Sequence, residues 1–175
     1  MHGALFTEFA MPDEPGLDAF TSGDPEVDAW FRSRRWFNAG KGVQSPPTYA
    51  FRAAKGGQTV GYASVGFRRV EHPDDRADAR RRYLTIYAVG VNGAFQGARD
   101  PLCPERSYAE SLFSVLVGLA AANDACVGLY LWVRANNPRA IRFYEKIGFS
   151  PDPAGPVPRD QGAPHLTMRK LLRSG

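Results

Sequence analysis

A chain of 175 residues with two cysteines, Cys103 and Cys126, is long enough to bury one sizeable core and too poor in cysteine for a disulfide framework, so a single domain in a reducing cytoplasm is expected. Its 22 Lys and Arg against 18 Asp and Glu leave a net charge of +4, which favours acidic ligands such as a phosphate-rich cofactor or nucleic acid. The opening MHGALFTEFAMPDEPG has no basic region leading into an apolar run, and the longest apolar run, Leu112 to Ala122 broken by Ser114, is too short to span a bilayer; neither a secretion signal nor a membrane helix is expected.

Leu5 to Phe9 alternates weakly and reads as a first strand. Asp24-Pro25 opens a helix, with Glu26 and Asp28 near its positive end and Val27, Trp30, Phe31, Arg34 and Phe37 on one stripe; Gly40 and Gly42 close it. Tyr49–Ala54 and Thr59–Val70 are rich in aromatic and β-branched residues and form an antiparallel hairpin around Lys55-Gly56-Gly57. Glu71 to Arg82 carries both charge signs and reads as a solvated loop or short helix. Tyr83–Val91 is nearly continuous in apolar residues, as in a central strand buried on both faces.

Asn92 to Arg106 reads as a loop. Ser107-Tyr108-Ala109-Glu110 is a capping box that opens a helix to about Asn123, with Leu112, Val115, Leu116 and Leu119 on its stripe. Val127–Val133 is a strand. Asn137 then caps a helix with Pro138 at its first position, Ala140, Ile141, Tyr144 and Ile147 share a face, and Gly148 suits a left-handed C-terminal cap. After a Pro- and Gly-rich tail from Pro151 to Pro164, HLTMRKLL alternates as a final strand. The order β, α, ββ, β, α, β, α, β predicts a mixed sheet with helices on its faces, in which the strands flanking the capping-box helix are parallel neighbours with a right-handed crossover. No CxxC or HExxH spacing occurs and the three histidines are scattered, so no metal site is expected.

The string from Asn137 to Phe149, NPRAIRFYEKIGF, resembles the segment N-x-x-A-x-x-x-Y-x-x-x-G-F of the GNAT superfamily of acyl-CoA-dependent N-acetyltransferases. The family also carries Q/R-x-x-G-x-G/A after a V-x-V-like strand end. Here Val89-Gly90-Val91 precedes Phe95-Gln96-Gly97, and Ser107-Tyr108-Ala109 follows an insertion of roughly eight residues, Ala98 to Glu105. With the insertion removed, Gln96, Ser107 and Ala109 fall on the family's Gln, Gly and Gly/Ala positions; the serine departs from the glycine that permits close approach to a diphosphate. Glu110 adds a negative charge nearby, and Arg99 and Arg106 are candidates to pair with phosphate oxygens.

The resemblance implies an α+β (mixed α/β) GNAT fold as one domain over 1–175: a mostly antiparallel sheet with one parallel, splayed strand pair and helices on both faces. It implies acetyl-CoA as co-substrate, with pantetheine bonded to the backbone at Val89 and Val91. The rest of the cofactor would lie against Gln96, Gly97, Arg99, Arg106, Ser107, Tyr108, Ala109 and Asn137. A primary amine would attack the thioester directly, and Tyr144, also in contact with the cofactor, would protonate the departing thiolate. Some relatives carry a Glu six residues before the strand-end valine. That slot holds Thr85, which is no base at neutral pH, so no general base is named.

FTSGDPEVDAWFRSR is similar to F-x-C-G-x-x-x-L-D-x-W-L, the opening of GNAT toxins that acetylate charged tRNA, with Ser22 for Cys and Val27 for Leu. On that resemblance Arg32, Arg34, Arg35, Arg139 and Arg142 would face tRNA phosphates, and an antitoxin partner follows from that reading alone. The acceptor is thus a small-molecule amine or an aminoacyl-tRNA; a non-catalytic acyl-CoA-binding or interaction domain is the alternative. A homodimer is common in the family.

Overall fold

The structure, a computed structural model, describes residues 5–37, 46–70 and 81–172. Gly40, Gly42 and most of the polar stretch after Val70 lie outside the described residues. In chain order the elements are β1 (Phe6–Phe9), α1 (Pro25–Arg32), β2 (Thr48–Arg52), β3 (Thr59–Arg68), β4 (Arg82–Val91), β5 (Arg99–Asp100), β6 (Cys103–Ser107), α2 (Tyr108–Ala121), β7 (Cys126–Arg134), α3 (Pro138–Lys146), β8 (Ser150–Pro151) and β9 (His165–Leu171).

Seven strands form one sheet in the order β1-β2-β3-β4-β7-β9-β8, and β5 and β6 pair separately. β1 with β2, β2 with β3, β7 with β9 and β8 with β9 are antiparallel. β4 and β7 are parallel, in register from Arg82↔Cys126 to Ile86↔Leu131. This is the expected mixed sheet, with helices on both faces. No described helix is long and apolar enough to cross a membrane.

The described chain divides into two compact units, Met1–Gly66 with Tyr87–Leu116, and Phe67–Ile86 with Val117–Gly175. In the first, Leu17, Phe20, Phe31, Trp36, Ala50, Tyr62 and Ala88 form a core cluster, against which Val27 and Trp30 pack. Phe20 stands edge-on to both Phe31 and Tyr62, at centroid distances of 5.7 and 5.0 Å, a favourable quadrupole geometry. The Trp30 indole donates to Ser64 Oγ at 2.8 Å, and Ser64 Oγ lies 2.6 Å from Thr48 Oγ1, so the polar atoms under α1 are satisfied. Arg52 reaches the buried Glu14 carboxylate at 2.6 Å, and the Tyr62 hydroxyl lies 3.4 Å from the same oxygen. Burial, with the Glu14 charge second, pushes the Tyr62 phenol up to about 12.

α1 begins as expected: Asp24 Oδ1 accepts from Glu26 N and Val27 N at 3.0 and 3.4 Å. It ends earlier than its stripe suggests, because Arg34 takes a left-handed φ of 54° and a short 3-10 turn follows over Arg35–Phe37. Tertiary bonds hold that conformation: Arg34 donates to Pro12 O and to Asp18 Oδ1 at 2.8 and 2.9 Å. In the second unit, Leu129, Leu131, Tyr83, Leu84, Phe149 and Met168 are buried, and Arg169 donates to the Tyr83 hydroxyl at 3.2 Å.

Candidate active site

β4 ends in Val89-Gly90-Val91, and the glycine has a steric cause. A Cβ at Gly90 would stand 2.9 Å from Ser22 Cβ, 3.0 Å from Val27 Cγ1 and 3.1 Å from Phe20 Cζ. The segment entering α1 therefore lies directly on this strand end. That segment is held by Asp28, which accepts from Ser22 N at 2.7 Å and Ser22 Oγ at 2.6 Å. The hydroxyl of Ser22, where the toxin pattern has cysteine, thus works as an internal donor. Gln96 closes the arrangement: its Nε2 donates to Ser22 O at 2.5 Å and to Val91 O at 3.1 Å. The side chain read as a cofactor contact thus also tethers the two segments, and one lone pair of the Val91 carbonyl is engaged.

The segment from Ala98 to Glu105, read as loop, contains a hairpin. β5 and β6 pair at Arg99↔Ser107 and Asp100↔Cys103. Asp100, 2% exposed, accepts from Ser111 Oγ at 2.6 Å and from Leu102 N at 3.0 Å, which pins the hairpin to the first turns of α2. Arg99 donates to Glu105 O at 3.0 Å and Arg106 to Ser114 Oγ at 3.1 Å. Each of these bonds uses one of five guanidinium donors. Gly97 turns the chain into the hairpin with φ 75°.

The capping box is formed in full. Ser107 N and Oγ donate to Glu110 Oε2 at 2.7 and 2.8 Å, and Glu110 N donates back to Ser107 Oγ at 3.3 Å. Tyr108 N donates to Ala98 O at 3.1 Å, and the buried Tyr108 ring stands edge-on to Phe95 at 5.1 Å. Three of the N–H groups from Ser107 to Glu110 are thereby engaged. The residues present fit an acyl-CoA diphosphate only in part: the backbone donors near Ala109 and the two arginines suit it, while the Glu110 carboxylate faces the same helix end.

In the second unit α3 carries the other candidates. Asn137 Oδ1 accepts from Ala140 N at 3.1 Å, the N-cap its sequence implies. At the far end Phe149 N donates to Tyr144 O at 2.9 Å and Gly148 N to Glu145 O at 3.0 Å, the two bonds of a Schellman motif. Gly148 takes φ 94°, as that motif requires. The half-buried Tyr144 ring packs between Phe143 and Phe149, at centroid distances of 5.7 and 5.8 Å. Thr85, in the slot where some relatives have a base, is 1% exposed, and its hydroxyl meets no hydrogen-bond partner among the described residues.

Two of the arginines read as facing nucleic acid bond to carbonyls of the fold, although Arg32 is exposed and Arg34 half-buried. Arg32 donates from Nε and Nη2 to Phe20 O at 3.2 and 2.5 Å, and Arg34 makes the bonds already given. Both hold carbonyls that no helix or strand satisfies. Arg139 and Arg142 are exposed on α3. Asp28, which falls on the Asp of the toxin-like pattern, and Asp100, Ser111 and Lys170, which no motif singles out, carry bonds that position these segments; only the apolar neighbours of Ser111 hint that it is buried.

A family model described as the acetyltransferase (GNAT) family matches residues 7–149. No curated protein matches the chain in sequence. Among solved structures, one described as a bacterial toxin is 18% identical with a TM-score of 0.65, covering 97% of this chain and 91% of that one. The toxin AtaT complexed with acetyl-methionyl-tRNAfMet is 15% identical with a TM-score of 0.62, covering 95% and 94%. A mutant of AtaT bound to the C-terminus of the antitoxin AtaR and acetyl-CoA is 14% identical with a TM-score of 0.59, covering 95% and 92%. At these identities the likeness is one of fold.

Proposed function

Because the chain belongs to the acetyltransferase (GNAT) family, we propose that it moves the acetyl group of acetyl-CoA to the α-amine of an aminoacyl-tRNA. The observation that carries the chemistry is Tyr144, fixed through its own carbonyl and ring within the Asn137–Phe149 segment. Several similar folds are toxins, and one of them is complexed with an acetylated aminoacyl-tRNA, which supports the acceptor. The toxin-like opening around Ser22 and Asp28 supports it too.

The amine nitrogen attacks the thioester carbonyl. The C–N bond forms, the C–S bond breaks, and the Tyr144 phenol gives its proton to the departing thiolate. A backbone N–H at the end of β4 polarises the carbonyl. An α-amine with a pKa of about 8 is partly neutral at pH 7, so it needs no strong base; this suits Thr85 in the base slot. Asn137, Arg99, Arg106 and Ala109 hold the cofactor. An antitoxin partner follows from this reading.

The test is release of free CoA from acetyl-CoA with an in-vitro-charged aminoacyl-tRNA pool, with the acetylated aminoacyl-tRNA as product. Tyr144→Phe lowers kcat about a hundredfold and leaves the acetyl-CoA KM within about twofold. No product from any charged tRNA refutes the acceptor. The hairpin inserted over Ala98–Glu105 and Thr85 in the base slot favour a second reading, a non-catalytic acyl-CoA binder. Calorimetric binding of CoA without turnover on any amine would select it.

A further inference from the structure

The carbonyl of Ile147, the residue that ends α3, is not held by the helix. The Schellman bonds occupy Tyr144 O and Glu145 O, and Ile147 O accepts instead from Lys170 Nζ, on β9, at 2.5 Å. Sequence separates the two residues by 23 positions, so this bond ties the helix end to the sheet. Two features show that the place is built for the ammonium. A Cβ at Gly148 would stand 3.3 Å from Lys170 Nζ, so the glycine leaves room for it. β8 pairs with β9 at Ser150↔Arg169 and Pro151↔Met168, which brings the chain leaving α3 alongside Lys170. A cation at a helix C-terminus also meets the negative end of the dipole.

Tyr144 is the first residue of the Schellman motif, one turn before the Ile147 carbonyl that this ammonium caps, and its ring rests on Phe149, immediately after Gly148. We propose that Lys170 is a positioning residue for Tyr144: its ammonium clamps the C-terminal turn of α3 to β9 and so sets where the phenol stands. The proposal rests on Tyr144 being the acid that protonates the thiolate. Removing the clamp leaves the turn held by backbone bonds alone. The phenol then shifts relative to the sulfur it must reach, and catalysis suffers more than binding, because small misplacements act on the chemical step.

The test is a double-mutant cycle on the full chain, with acetyl-CoA and the charged aminoacyl-tRNA pool as substrates. Lys170→Met, which keeps the apolar stem, lowers kcat about tenfold with the acetyl-CoA KM within about twofold. Lys170→Arg, which keeps a charged donor, loses less. In a Tyr144→Phe background, Lys170→Met changes kcat less than about twofold, because the phenol it positions is gone. Should circular dichroism show the methionine variant unfolded, the arginine variant carries the same cycle. A wild-type kcat for Lys170→Met overturns the proposal, as does an equal loss in both backgrounds. A wild-type kcat for Tyr144→Phe alone is a different failure, since it removes the acid role on which the clamp depends.

Discussion

Asp100→Ala removes a carboxylate that is 2% exposed and strands two donors, the hydroxyl of Ser111, itself 0% exposed, and Leu102 N. A hydrogen bond to a charged group contributes about 1.5–3 kcal/mol, and the desolvation of the carboxylate offsets part of two such bonds. The expected loss is about 3 kcal/mol. Asp100→Asn costs about 1 kcal/mol, because the amide oxygen still accepts from Leu102 N and the Ser111 hydroxyl can turn to accept from the amide NH2. For a chain of 175 residues these losses lower Tm by about 6–12 °C and about 2–4 °C. Calorimetric melting of the wild type and both variants at pH 7 reads the difference. On the proposed reading, in which Arg99 and Arg106 hold the cofactor, the alanine variant also binds CoA more weakly, since their hairpin loses its attachment to α2. Melting points for the two variants within about 1 °C of each other would refute the reasoning, because they would mean that Asp100 fills space and accepts nothing that matters.

Glu110→Ala opens the capping box and leaves Ser107 N without its acceptor, at a cost of about 1 kcal/mol in denaturant unfolding; Glu110→Gln keeps an acceptor there and costs less. Gly148→Ala puts a side chain at φ 94°, with its Cβ 3.3 Å from Lys170 Nζ. It destabilises by about 1–2 kcal/mol, visible as a lower denaturation midpoint. The Tyr62 phenol, at about 12 in the folded chain against about 10 unfolded, favours folding fully below pH 10. That contribution fades as pH rises from 10 towards 12. Tyr62→Phe therefore flattens the alkaline limb of the stability–pH curve, measured by urea titration at each pH; an unchanged limb would assign the loss to other groups.

Local rules made much of the fold legible. Asn137-Pro138 and Gly148-Phe149 mark the two ends of α3 because capping chemistry involves residues within a turn of each other. Ser107 and Glu110 form their box for the same reason, and the apolar run from Tyr83 to Val91 is the central strand it resembles. The misses are non-local. β5 is two residues long, and CPERS has no alternation; the hairpin depends on Asp100 meeting Ser111, eleven residues on. The stripe through Arg34 and Phe37 continues past the end of α1, and bonds to Pro12 and Asp18 stop the helix there. Those bonds, with that of Arg32 to Phe20 O, also give these two arginines contacts within the fold that the sequence did not announce. At the site the same split holds: the positions of Tyr144 and Asn137 were readable from spacing, while the tethering of Gln96 and the reach of Lys170 required coordinates.

The Gln96 amide grips Ser22 and Val91 at once, so what happens at the amino-terminal arm is felt at the strand end where the thioester is expected to lie. Trimming the chain before Asp24, or fusing a bulky tag that drags on that arm, would let the amide swing away and change the edge presented to the co-substrate. The segment around Ser22 thus bears on the shape of the β4 end on which the proposed chemistry depends.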